Sequence, residues 1–314
     1  VPYKKLIIPL LIGLFNALLL IFPREVLGAA REGLLLWFHT ILPSLLPFVI
    51  GTNLLIKLGF MRFIGGIIAP LTKNVFGISG AGGTAFITGI VSGYPIGAKT
   101  VGDLCREGDI KPDEARRLLA FCNNAGPLFI VGAVGIGMFG DAKAGYLLWV
   151  GHILGALAVG LLGRSGEKNK KNNFGGIQRN YLQRLNGEPF GKALGESVKN
   201  AMEAMILVGG LIILFNVVAC IFRLMIGLEE GIAAGIFGGL LEISGGTKAI
   251  AAEGINTLSL AAAAFVIAFG GFSVHAQAMH FTAGTGIKAG VYLSCKILHG
   301  VLAAVFTVIL FTLL

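Results

Sequence analysis

Apolar runs as long as a bilayer is thick recur along this chain, and glycine or proline interrupts nearly every one of them. A hydrocarbon core of roughly 30 Å takes about 20 residues of helix. Inside lipid no water serves the backbone, so every N–H and C=O must be satisfied within the protein, by a helix or a closed barrel. A barrel would show short alternating segments. The runs here are continuous, so the chain reads as an all-α polytopic membrane protein. Composition agrees: 55% of the residues are hydrophobic and 13% charged, and the mean hydropathy is +0.84. The 48 glycines are about twice the usual share of roughly 7%. Small residues let membrane helices approach closely and unwind locally, as in a packed bundle that moves.

The remaining composition excludes other classes. The net charge of +9 is spread between apolar runs rather than gathered in a patch, which fits positive-inside loops and not a nucleic-acid partner. Cys105, Cys122, Cys220 and Cys295 are scattered, with neither metal spacing nor a paired framework. No Ser-His-Asp order, HExxH, Walker loop or metal cluster is present, so neither an enzyme nor a cofactor is expected.

The chain divides into four parts. Residues 1–28 read as a first transmembrane helix, with a signal peptide cleaved near Gly28-Ala29-Ala30 as the alternative. Residues 29–163 form a first repeat. It has a span over 33–56 kinked at Pro43 and Pro47, a re-entrant hairpin with its tip at Ser92-Gly93-Tyr94-Pro95, and a helix starting at Lys111-Pro112-Asp113-Glu114. That helix is broken at Asn123-Asn124-Ala125-Gly126-Pro127, where proline removes a donor. Residues 164–195 are a basic cytoplasmic linker and an amphipathic entry. Residues 196–314 form the second repeat, with breaks at Ser244-Gly245-Gly246 and near Gly270-Gly271-Phe272-Ser273.

The two repeats echo each other. Gly97-Ala98-Lys99 matches Gly246-Thr247-Lys248, Phe121 before one break matches Phe269 before the other, and Lys143-Ala144-Gly145 matches Lys288-Ala289-Gly290, all at offsets of 145–149. Following the basic loops from a cytoplasmic Lys4-Lys5 places the halves in opposite orientations: an inverted-topology repeat with two re-entrant hairpins and two broken helices. The binding site of such a fold lies near the midplane, where half-helix N-termini carry roughly +0.5 charge each.

The candidate site residues sit at the breaks: Ser92, Gly93, Tyr94, Lys99, Asn123, Asn124, Glu242, Ser244, Gly245, Lys248, Ser273, His275 and Gln277. The hydroxyls and amides either contact a solute or satisfy backbone groups freed by the breaks. Lys99 and Lys248 are costly at membrane depth, and their recurrence points to one carboxylate of a substrate each; snorkelling is the alternative. Glu242 reads as an ion ligand, a proton carrier or the partner of Lys248. His275 reads first as a packed side chain.

The segments LPSLLPF (42–48), SGYPIGAK (92–99), EARRLLAFCNNAGPLFIVGAVG (114–135), GLLEISGG (239–246) and FGGFSVHAQ (269–277) resemble the YlbJ family of sporulation integral membrane proteins. Those proteins carry nucleoside-recognition (Gate) domains and are similar to concentrative nucleoside transporters. The resemblance implies movement of dipicolinate, a small aromatic dianion, across the outer forespore membrane of a sporulating bacterium. It also implies a scaffold with a moving transport domain, and homo-oligomers are common in the resembled fold. The competing readings are a nucleoside or nucleobase transporter, with less need of the two lysines, and a membrane scaffold that transports nothing.

Overall fold

A computed structural model describes residues 4–164 and 189–313, and all regular structure among them is helical. Most of the expected linker lies outside the described residues. Helix α1 (Lys4–Ile21) ends just before Pro23 opens α2 (Pro23–Lys57), a single stretch of 35 residues. Pro43 and Pro47 do not break it. The irregularity is a π-turn over Trp37–Ile41, in which the Leu42 N–H reaches back five residues to the Trp37 carbonyl. Pro43 follows directly, and the wider turn absorbs the donor that it lacks.

Helix α3 (Phe60–Phe76) bends by 97° into α4 (Gly80–Ser92), which forms a hairpin with α5 (Ile96–Arg106). Helix α6 (Pro112–Cys122) starts as its sequence predicts, with proline in the first turn beside Asp113 and Glu114. After the break at 123–127 the chain resumes as α7 (Leu128–Ile136), wound as a π-helix. Helix α8 (Ala142–Leu162) follows, with the Asp141 side chain accepting from the Lys143 N–H at its start.

Helix α9 (Phe190–Ile226) fuses the expected amphipathic entry and span into 37 unbroken residues. A second hairpin, α10 (Ile232–Leu241) with α11 (Ile243–Ala251), leads to a second broken helix, α12 (Thr257–Phe269) and α13 (Gly271–Phe281). Helix α14 (Ala289–Leu313) closes the described chain. The order hairpin, broken helix, long helix thus occurs twice. Five helical stretches among the described residues are long and apolar enough to cross a membrane, or six if α3 and α4 together make one span.

Glycines set how closely these elements approach. The arms of both hairpins cross at a glycine pair: a Cβ on Gly97 would stand 3.1 Å from the Gly89 Cα, and one on Gly246 only 2.2 Å from the Gly239 Cα. The second hairpin therefore turns not at Ser244-Gly245-Gly246, as the sequence implies, but two residues earlier. The Glu242 carboxylate accepts from the Ser244 N–H (2.9 Å) and the Gly245 N–H (2.8 Å) and so caps α11 at its first turn. The glycines that looked like the break are where the arms touch.

Helices α8 and α14 pack side by side, Gly151 and Gly155 fitting against Thr307 and Ala303. Helices α2 and α9 form a separate pair. Gly33 meets Ile213, and Gly209 meets Trp37, whose indole N–H donates to the Met205 carbonyl at 3.0 Å. Lys57 and Glu196 form an ion pair at the end of α2.

Candidate functional site

Each hairpin tip is pressed onto the break of its own half. Gly93 has φ +73°, and a Cβ on it would come within 2.4 Å of the Gly126 nitrogen, so the first tip lies flat on the first break. Gly271 has φ +68°, and a Cβ there would meet the Gly239 carbonyl oxygen at 2.9 Å, which seats the second break on the second hairpin. A side chain at either position would combine strained backbone with overlap.

Breaking a helix strands carbonyls, and side chains from elsewhere take them. In a continuous helix Asn123 O would accept from residue 127, which is Pro127 and has no N–H. The side-chain nitrogen of Lys296, on α14, donates to it instead at 2.9 Å. The Asn124 amide donates to Phe121 O (2.6 Å), and the freed Ala125 N–H donates to His152 Nε2 on α8 (3.2 Å). At the second break, Ile267 O would accept from Gly271, which has turned into the left-handed region; the Tyr94 hydroxyl donates to it at 2.8 Å. Tyr94 thus ties the first hairpin tip to the second broken helix.

Between these tips and breaks on one side and the α2–α9 pair on the other lies a pocket of about 760 Å³, its open mouth included. Its polar end is made by Ser92, Tyr94, Glu242, Ser244, Ser273 and Gln277. Its apolar wall comes from Leu45, Phe48 and Val49 of α2 and Met205, Val208 and Ile212 of α9. The first turns of four helices line this pocket, with Ile96, Leu128, Ile243 and Ser273. The starts of α5, α7 and α13 have no side-chain cap, whereas Glu242 caps α11.

Six of the thirteen residues singled out in the sequence therefore share one pocket. The others stand elsewhere. Gly93 and Gly245 serve close packing, Gly245 against the Asn216 side chain of α9. Asn123 and Asn124 are wholly buried and knit the first break, the Asn123 amide donating to the Tyr292 hydroxyl at 2.6 Å. His275 is packed among Phe269, Phe272 and Tyr292, with no hydrogen-bond partner on either ring nitrogen. Lys99 is 51% exposed and pairs with Asp103 one turn on, while Lys248 opens into a different pocket beside His39, Thr40 and Met138.

The reason is helical phase. Ala98 and Val101 face inward with no exposure, which turns Lys99 out. The buried Thr247 and Ile250 do the same to Lys248. Nor does Glu242 pair with Lys248, since its two oxygens are taken by backbone N–H groups. Among the described residues no group of three His, Cys, Asp or Glu side chains could hold a metal.

Three residues at the first break, Lys296, His299 and His152, escaped the sequence reading. The signal was available: an intramembrane lysine with a histidine three residues on, and a histidine inside the apolar run of α8.

Comparisons with known proteins fit this geometry. A family profile described as Gate, nucleoside recognition, matches residues 38–140, which include the first hairpin tip and the first break. The sporulation integral membrane protein YlbJ of Bacillus subtilis (strain 168) is 34% identical, over an alignment covering 92% of this chain and 78% of that protein. No solved structure matches the chain.

Proposed function

The chain belongs to the family of the sporulation integral membrane protein YlbJ, and from that premise we propose that it transports a small anionic aromatic solute, dipicolinate first among the candidates. It is an integral, multi-pass membrane protein with a Gate nucleoside-recognition segment. The observation that carries the proposal is the convergence of four helix N-termini on one pocket with apolar walls. At roughly +0.5 charge each they sum to about +2, and the Glu242 carboxylate returns about −1. The net of about +1 favours an anion, and a dianion would bring one positive charge along with it. The apolar side chains of α2 and α9 suit a planar ring. In this reading the protein changes no covalent bond.

Alternating access follows from the way the site is split. One wall belongs to the α2–α9 pair, and the rest to hairpins and broken helices that hold each other. We place the protein in the outer forespore membrane and assign its halves opposite orientations. Cysteines at Lys170, in the basic linker, and at Glu230, beyond the far end of α9, are then expected to react with impermeant thiol reagents from opposite faces. Reaction of both from one face would end the inverted topology.

A nucleoside or nucleobase is the second reading, favoured by the carboxylate and hydroxyls in the pocket and by the absence of lysine from its lining. The two separate cheaply by thermal melting of the purified protein in detergent. Dipicolinate at saturating concentration is expected to raise the melting temperature by several degrees, equivalent to about 2.7 kcal/mol at a hundred times Kd, and uridine to leave it unchanged. A shift with uridine alone would replace the anion reading by the nucleoside one.

A further inference from the structure

The pocket makes no use of the cluster behind the first break, where the most deeply buried lysine of the described chain lies. Lys296 has no exposed surface and sits within the 25 residues of α14. Its Nζ reaches Asn123 O at 2.9 Å and His299 Nδ1 at 3.0 Å. The partners fix the hydrogens. His299 Nε2 lies 2.9 Å from the His152 carbonyl, which only accepts, so the ring hydrogen is on Nε2 and Nδ1 offers its lone pair to Lys296. His152 Nε2 accepts from the Ala125 N–H, so its hydrogen is on Nδ1, which has no partner. The two rings are 4.7 Å apart.

A count of hydrogens shows what this arrangement can do. A neutral amine has two hydrogens, and two acceptors face Lys296. An ammonium has three, and the third has nowhere to go. The titratable groups facing Lys296 are Cys122 from α6, His152 from α8, His275 from α13, and Tyr292, Cys295 and His299 from its own helix, with Arg116 beyond Cys295; α12 contributes none. No carboxylate is among them, and none of the ion pairs of the described residues includes Lys296. A charge without a partner at membrane depth is among the costliest states a helix can hold. The cluster accepts a proton cheaply only when water or an anion reaches it, and that requires the break to open.

We propose that Lys296, His299 and His152 form a proton-binding site that governs the break at 123–127. Without the extra proton, Lys296 and His152 clamp Asn123 O and Ala125 N. When a proton from water joins the Nζ lone pair, the clamp loosens and the half-helices separate. The site is distinct from the solute pocket, and the proposal does not depend on which solute is carried.

Cys122 reports on the break directly, because it is wholly buried and adjoins Asn123. The full chain in detergent is treated with a dithiodipyridine reagent, which reacts with thiols even in acid, and labelling is read peptide by peptide. The half-buried Cys105 serves as the internal standard for thiol reactivity. The Cys122 to Cys105 ratio is expected to rise about tenfold in the parent from about pH 8.5 to about pH 5.5. Lys296→Met keeps the volume without a titratable group and is expected to flatten the ratio at all pH values. His299→Gln offers an amide oxygen to Lys296 and an amide N–H to the His152 carbonyl but holds no proton; it is expected to keep the parent ratio at high pH with a smaller rise. A flat profile in the parent would make the cluster a structural prop and overturn the proposal, as would a full rise persisting in His299→Gln and in any Lys296→Met that folds.

Discussion

Glu242→Gln is expected to tighten dipicolinate binding about tenfold to a hundredfold while weakening the fold slightly. The carboxylate stands in the pocket wall, 4% exposed, and puts a full negative charge beside the space where the anion reading places another. Two unit charges about 5 Å apart at an effective dielectric of about 20 repel by roughly 3 kcal/mol, and partial hydration of the open pocket reduces the effect. Glutamine removes that repulsion. Its amide oxygen still accepts from one N–H at the start of α11, whereas the other N–H, of Ser244 or Gly245, then faces an NH2 group. Losing one capping bond costs about 1 kcal/mol, so the melting temperature without solute is expected to fall by a few degrees. Calorimetric titration of the parent and Glu242→Gln with dipicolinate and with uridine decides the matter. Unchanged or weaker dipicolinate binding, together with lost uridine binding, would make Glu242 a solute ligand and return the site to nucleosides.

Gly246→Val is expected to abolish recovery of monodisperse protein, and Gly89→Val likewise. A Cβ on Gly246 would lie 2.1 Å from the Gly239 nitrogen and 2.6 Å from the Gly235 carbonyl oxygen; one on Gly89 would lie 1.8 Å from the Cys122 carbonyl oxygen. All of these are backbone atoms of neighbouring elements, so no rotamer change relieves the overlap. The cost falls at or beyond the top of the roughly 1–3 kcal/mol range for overpacking, because the arms of the second hairpin must part in one case and the first hairpin must lift off α6 in the other. Gly210→Val, at a position with nothing within 4 Å, is the matched control and is expected to purify like the parent. Size-exclusion profiles of the three variants give the answer. A normal Gly246→Val profile would mean that the arms of the second hairpin stand further apart than described.

Much of the architecture was legible because glycine and proline punctuate apolar runs. The tip at Ser92-Gly93-Tyr94-Pro95 and the break at Asn123-Asn124-Ala125-Gly126-Pro127 carry their own chemistry: a left-handed glycine, and a proline that strands a carbonyl. The second tip was misplaced because its turn depends on a capping carboxylate, which in sequence looks only like a buried charge. The two lysines stand out in the sequence for a related reason. The recurrence of Gly-x-Lys reflects the glycines, which let the hairpin arms cross, and the lysines follow two residues later on the outer face. Lys296 and the two histidines carry no local sign of the break, because they join it only through tertiary packing of α8 and α14, across more than a hundred residues of chain from Lys296 to Asn123.

The length of α9 makes bilayer thickness a variable for this protein. Its 37 residues run for about 55 Å at 1.5 Å each, against a hydrocarbon core of roughly 30 Å. Lys192, Glu196, Lys199 and Glu203 all lie in its first fourteen positions, and beyond them Arg223 is the sole charged residue of the helix. The charged third, about 20 Å long, is therefore expected to stand clear of the lipid, with the Lys57–Glu196 pair about halfway along it. A thicker membrane would draw that ion pair toward hydrocarbon, and the helix would answer by tilting less. A thinner one would tilt it further. Because α9 also forms a wall of the pocket, a change in its tilt is expected to widen or narrow the mouth, which makes the lipid composition of the surrounding membrane a lever on the entrance.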